Sequence, residues 1–177
     1  MKTRILVKEG EYRLSKAFCM DAKIDAEELF CFLTGTDKVG LFLKAEEEVD
    51  TETEEKYFEL IDKRAQRVPL QHITGEQEFM GHKFKVSPDV LIPRQDTETL
   101  VTEAAKIIQE TPREKLSFLE KLKGAKEWEV LDLCCGSGAV GISIMKICSN
   151  VRMTASDISE KALKVAETNA KELHTKV

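Results

Sequence analysis

The residues best placed to do chemistry lie in one stretch, Glu129-Val130-Leu131-Asp132-Leu133-Cys134-Cys135-Gly136-Ser137-Gly138-Ala139-Val140-Gly141. An apolar run with β-branched character enters a glycine turn, and a second apolar run, Val140 to Ile147, leaves it. Strand, tight turn and helix are the expected sequence of structures. Glycines at such a junction adopt positive φ and let the backbone approach a ligand with no Cβ in the way, while the first helical N–H groups point into the same space. Two acids flank the turn: Asp132 near the end of the first apolar run and Asp157 at the end of the next, Val151 to Ser156. A second concentration of chemistry is Val90-Leu91-Ile92-Pro93-Arg94-Gln95-Asp96-Thr97-Glu98, where Arg94, Asp96 and Glu98 crowd charge into five residues beside an extended apolar run. Local chemistry fits a substrate-facing loop there and fits equally a well-capped helix with a solvated Arg.

The elements that must position these residues follow from periodicity. From Thr3 to Leu43 apolar residues such as Leu14, Ala17, Phe18, Leu29, Phe30 and Leu33 recur at helical spacing. Breaks near Asp21 to Asp25 and at Thr34 to Asp37 predict several short helices packed as a small bundle, with Asp25 capping the second. Seven of the ten residues from Glu46 to Glu55 are acidic, without the glycine and terminal Glu of a calcium loop, and are expected to form a solvated helix start. Thr51 and Glu54 form a capping box for a helix whose apolar face is Tyr57, Phe58, Leu60, Ile61 and Ala65. Leu70 to Gly75 reads as one short turn closed by glycine. Glu78 to Val86, with Gly81-His82 between two short alternating runs, reads as a hairpin linking two domains. Asp96 and Thr97 are in capping position for a helix through Ile108. Thr111 to Trp128 reads as a charged surface connection. Ser159 is expected to cap a last helix carrying Leu163, Ala166, Ala170 and Leu173, which makes the end of the chain one β-α-β unit.

Composition narrows the classes. With 177 residues, 42% hydrophobic and 33% charged, the chain is long enough for one ordinary domain or two small ones. No apolar run approaches the roughly 20 residues that span a bilayer, and the N-terminal residues turn charged too soon for a secretory signal. The chain reads as cytoplasmic, without a membrane partner. A net charge of −5 gives no electrostatic reason to expect direct nucleic-acid binding. Cys19, Cys31, Cys134, Cys135 and Cys148 are odd in number and show no C-x-x-C spacing, and His72 and His82 lack a partner at ligand spacing. Neither a disulfide framework nor a metal site is therefore expected.

Taken literally, Gly136-x-Gly138-x-x-Gly141 matches the dinucleotide fingerprint, with Asp157 near the position of the ribose-binding acid. A nicotinamide-dependent oxidoreductase is therefore one reading. Against it, Asp132, Cys134 and Cys135 interrupt the apolar strand that usually runs straight into the first glycine. An acid near the strand end, a Gly-x-Gly turn and an acid closing the next strand suit S-adenosylmethionine, which has no pyrophosphate to place. Its ribose diol needs a carboxylate acceptor such as Asp157, and its amino-acid part needs backbone polar groups.

The run from Arg67 to Val101 contains Pro69-Leu70-Gln71-His72-Ile73-Thr74-Gly75, Glu78-Phe79, Val90-Leu91-Ile92-Pro93-Arg94 and Asp96-Thr97-Glu98. It resembles the linker and helix start of the HemK/PrmC family, protein-(glutamine-N5) methyltransferases of peptide chain release factors. Val130 to Gly141 and Ala155 to Ala170 resemble that family's cofactor motifs in the expected order, and the segment before Arg67 resembles its N-terminal helical domain. The resemblance implies that Cys134, Cys135, Gly136, Ser137 and Gly138 border the methionine part of S-adenosylmethionine and that Asp157 borders its ribose. Asp132 belongs to the same cofactor set, and Arg94, Thr97 and Glu98 face substrate. It implies a release factor as partner and methyl transfer to the glutamine side-chain nitrogen of a Gly-Gly-Gln loop. Cys134 stands where the family usually has a glycine, and Gln95 where a proline is usual. Cys134 is not expected to act as a nucleophile, because methyl transfer needs no covalent intermediate and no partner base is visible.

The expected fold is α plus α/β: a helical substrate-recognition domain over residues 1–75, a hairpin linker over 76–93, and the start of a Rossmann-like methyltransferase domain over 94–177. In the family an Asn-Pro-Pro-Tyr motif on a later strand orients the amide, and these 177 residues contain none. No catalytic residue is therefore assigned within them. We expect them to be an N-terminal portion of the enzyme, inactive alone, with weak or absent cofactor binding and prone to self-association through an open sheet edge. The reading from a different class is a non-catalytic helical module that acts through a protein partner.

Overall fold

The computed structural model describes residues 1–110 and 128–175, and the expected surface connection at 111–127 lies outside them. Two compact units divide the chain, Met1–Thr74 and Gly75–Val177.

The first unit is helical: α1 (Thr3–Lys16), α2 (Ala22–Thr34), α3 (Lys38–Leu43), α4 (Thr51–Ala65) and α5 (Leu70–Thr74). Leu6, Leu14, Leu29, Phe30, Tyr57 and Ile61 form its core. The Tyr57 ring meets Phe30 edge-on at 5.7 Å, and its buried hydroxyl donates to the Ala26 carbonyl at 3.1 Å. Gly10 lets α1 come this close, since a Cβ there would run into the Tyr57 hydroxyl.

Three local expectations shift. The break between the first two helices falls at Ala17 to Asp21, earlier than expected, where Phe18 takes φ +57°. Asp25 is therefore inside α2 rather than at its cap, buried, and paired with Arg64 of α4 at 2.7 Å. Asp50, not Thr51, caps α4, accepting from both the N–H (2.9 Å) and the hydroxyl (2.7 Å) of Thr53. An Asp one residue earlier shifts the N3 position from Glu54 to Thr53 and offers the stronger, charged acceptor to that amide. The acidic run is partly neutralised, with Glu46 carrying the Lys2 ammonium at 2.7 Å.

The second unit is mixed. Strands β1 (Glu76–Phe79) and β2 (His82–Lys85) form an antiparallel hairpin with Phe79 opposite His82. Its turn residues are Met80 and Gly81, both at positive φ, one position ahead of the expected Gly81-His82. Helix α6 (Thr97–Glu110) follows, then β3 (Trp128–Leu133), α7 (Ala139–Ile147), β4 (Val151–Ser156) and α8 (Glu160–Glu172). Strands β3 and β4 run parallel, with Asp132 beside Ala155 and Leu133 beside Ser156. Ser159 caps α8 by accepting from the Ala162 N–H at 3.2 Å.

One apolar cluster joins the hairpin (Phe79, Phe84), α6 (Val101, Ala105, Ile108), α7 (Ile142, Ile144), β4 (Val151, Met153) and Ala170 of α8. The hairpin contributes two fully buried aromatic rings, 6.0 Å apart and edge-to-face, to the same core as the helices behind the parallel strands.

Candidate functional site

The turn between β3 and α7 is built from left-handed backbone. Cys134 (φ +62°), Gly136 (φ +54°) and Gly138 (φ +76°) all lie at positive φ, a cost only for the residue with a Cβ. The turn closes on itself through the Gly138 N–H, which donates to the Cys135 carbonyl at 2.8 Å, and the Cys135 N–H extends the sheet to the Ser156 carbonyl at 3.0 Å. Gly138 caps α7, whose first amides face the same turn.

Both acids act on this backbone. Asp157 Oδ2 accepts from the Gly136 N–H at 2.9 Å and Oδ1 from the Ser159 N–H at 2.9 Å. These amides, Ser159 first, hold its carboxyl below the usual Asp range. Asp132 Oδ2 accepts from the Gly141 N–H at 2.9 Å. Burial pushes its carboxyl above the usual range, the Gly141 N–H opposes that, and the charge on Asp157 adds to the rise. Gly141 has no room for a side chain, because a Cβ would stand 2.9 Å from Asp132 Oδ2. The two acids thus stand at the C-terminal ends of adjacent strands, Asp157 holding the turn at Gly136 and Asp132 the first turn of α7 at Gly141.

The remaining cofactor candidates differ in access. Cys134 is exposed, while Cys135 and Ser137 are buried. Burial, then the charges of Asp132 and Asp157, push the Cys135 thiol up, away from the nucleophilic thiolate.

The substrate-facing candidates separate as well. Arg94 is exposed, Thr97 opens α6, and the Arg94 carbonyl accepts from the Thr97 N–H at 2.9 Å. Glu98 turns inward, its carboxylate accepting from the Met80 N–H of the hairpin turn at 2.8 Å.

One residue at this site carried no motif. Asn169 of α8, 1% exposed, donates from Nδ2 to the Ser137 carbonyl (2.9 Å) and the Lys85 carbonyl (3.0 Å), and accepts at Oδ1 from the Lys85 N–H (2.6 Å). Its only sequence signal is position, because it falls on the apolar stripe three residues after Ala166 and next to Ala170.

Comparisons with known proteins agree with the order of these parts. Residues 6–75 match the family model described as the PrmC N-terminal domain, and residues 115–177 the one described as the methyltransferase small domain. The release factor glutamine methyltransferase of Koribacter versatilis is 39% identical over 155 residues, covering 88% of this chain and 50% of that protein. The protein of the same name from Moorella thermoacetica is 35% identical over 173 residues, covering 98% of this chain and 56% of the relative. The one from Chlamydia trachomatis serovar L2 is 33% identical over 168 residues, covering 95% and 52%. The chain spans about half the length of the curated relatives it matches. With both family models matched in order and relatives of one name along nearly its whole length, this chain belongs to the HemK/PrmC family, as a partial member.

Proposed function

We propose that residues 94–177 carry the S-adenosylmethionine-binding start of a Rossmann-like methyltransferase domain, and that residues 1–75 recognise a peptide chain release factor. The reaction is methyl transfer to the side-chain nitrogen of the glutamine in the Gly-Gly-Gln loop. The observation that carries this reading is the pair of carboxylates on the glycine turn. Asp157 and Asp132 occupy the Gly136 and Gly141 amides and set negative charge beside the turn. A pyrophosphate needs free amides and a positive field there, so the arrangement disfavours a dinucleotide. A ligand with a cationic sulfonium and ammonium is drawn to the same field.

The donor set fits that ligand. Each Asp157 oxygen accepts one N–H and keeps lone-pair capacity for a ribose hydroxyl. Cys134 to Gly138 offer backbone polar groups to the amino-acid part, and Asp132 holds the start of α7 in place. When bound, the cofactor supplies an electrophilic methyl group. The chain's residues bind and orient it, while Arg94 and Thr97 lie at the start of α6 as substrate contacts. Glu98 supports that helix through its bond to Met80.

The test is titration of the isotope-labelled chain with S-adenosylhomocysteine and with NAD, following the Gly136 and Gly138 amide signals. Shifts with the first and none with the second are expected, at an affinity weaker than low micromolar. Shifts with NAD alone would overturn the assignment. Because the 177 residues contain no Asn-Pro-Pro-Tyr, they are expected not to turn over a release factor by themselves, and observed turnover would refute that.

A further inference from the structure

The geometry points to Asn169 as a positioning residue that sets the Ser137–Gly138 peptide plane of the glycine turn, and through it the contact with the amino-acid part of the cofactor. This rests on the cofactor reading above. Asn is a poor helix former and is rarely buried without a partner. Here, 1% exposed inside α8, it spends both Nδ2 hydrogens and its oxygen on backbone groups. The Lys85 N–H and the two carbonyls fix which end of the amide points where, because the opposite orientation would face donor to donor and acceptor to acceptor.

The peptide unit joining Ser137 to Gly138 is held at both ends. Its carbonyl accepts from Asn169 at 2.9 Å, and its N–H donates to the Cys135 carbonyl at 2.8 Å. Helix α8 also approaches the turn next door, since a Cβ on Gly138 would stand 3.1 Å from the Ala166 Cβ. Asn169 therefore ties the turn to β2, a strand about fifty residues earlier in the chain. Asp157 holds the other side of the turn without this side chain, through Gly136. The two contacts divide the site: Asp157 faces the ribose, and Asn169 governs the backbone offered to the amino-acid part.

That division provides a test which a general loss of stability would not mimic. The labelled full chain, its Asn169→Ala variant and the milder Asn169→Ser variant are titrated with S-adenosylhomocysteine and with adenosine, well below the melting transition of each protein. Both variants are expected to weaken S-adenosylhomocysteine about tenfold, the scale of one lost buried hydrogen bond. Adenosine affinity should stay within about twofold. Equal weakening of both ligands, or no weakening of S-adenosylhomocysteine, would overturn the proposal. If the unaltered chain shows no response to S-adenosylhomocysteine, the cofactor reading fails by itself, and hydrogen exchange of the Gly138 amide then decides. Exchange about tenfold faster in the variants would keep Asn169 as the residue that positions the turn, and unchanged exchange would reject it.

Discussion

Cys134 is the one residue of the turn whose identity works against its conformation. At φ +62° its Cβ crowds the following carbonyl, a cost of about 1–2 kcal/mol that glycine avoids. Cys134→Gly gives part of this back through the greater freedom of the unfolded chain. The expected net gain is about 1 kcal/mol, read as a rise in the urea midpoint with unchanged slope; a loss of stability would show that the thiol makes a contact worth more than the strain. The two acids carry opposite pH signatures. Asp157, with its folded pKa held below the unfolded value near 3.8, contributes stability present above that value and lost as pH falls through the folded pKa. Asp132 has its folded pKa raised, so its contribution favours the folded state at low pH and is lost as pH rises through that pKa. Asp157→Asn should therefore destabilise at neutral pH, with the difference closing below about pH 4. Asp132→Asn keeps an acceptor for the Gly141 N–H and should stabilise at neutral pH. Thermal melts across the acid range check both, and shifts of the same sign would contradict the assignment.

At the scale of elements, α1 and α4 meet where Gly10 faces Tyr57. Gly10→Ala improves helix propensity by about 1 kcal/mol but drives a methyl into the Tyr57 hydroxyl, which is fixed on the Ala26 carbonyl. Overpacking of this kind costs about 1–3 kcal/mol. The packing term is expected to win, leaving a net loss in denaturant titration, and a stabilised variant would mean that α1 can slide away from α4. Helical spacing marks α1, α2 and α4 in the sequence itself, and Ser159 is legible as a cap because it precedes a clean apolar stripe. What spacing could not show is which polar residue wins where several compete. Asp50 takes the cap of α4 from Thr51 because its carboxylate reaches Thr53. Asp25 leaves the cap of α2 for Arg64, 39 residues away in sequence. The glycine turn and its two acids were visible because their types and spacing are local. Asn169 and the inward turn of Glu98 were not, since both serve backbone groups of a distant hairpin.

At the scale of the molecule, the parallel pair presents one face inward and one outward. Val130 and Met153 point toward α7, while Leu131 and Leu133 stand 61% and 68% exposed on the other face of β3. Among the described residues, β3 and β4 each pair with one strand and leave an edge free. An apolar face beside a free edge favours contact with a second copy, so the question is how strong that contact is. Burying a leucine contributes about 2 kcal/mol. Four leucines from two copies, each about two-thirds exposed, offer roughly 5 kcal/mol, at the low end of the 4–15 kcal/mol that association costs. Leucine burial alone therefore leaves the copies apart at micromolar concentration, and strand pairing across the free edge must supply the rest. The expected behaviour is a monomer at about 10 μM that self-associates as concentration approaches about 1 mM, followed by sedimentation velocity and amide line widths. Leu131→Lys with Leu133→Lys should abolish the concentration dependence without altering the Gly136 and Gly138 signals, because those residues lie on the turn and not on the exposed face. Association that persists in the double variant would move the contact to another surface.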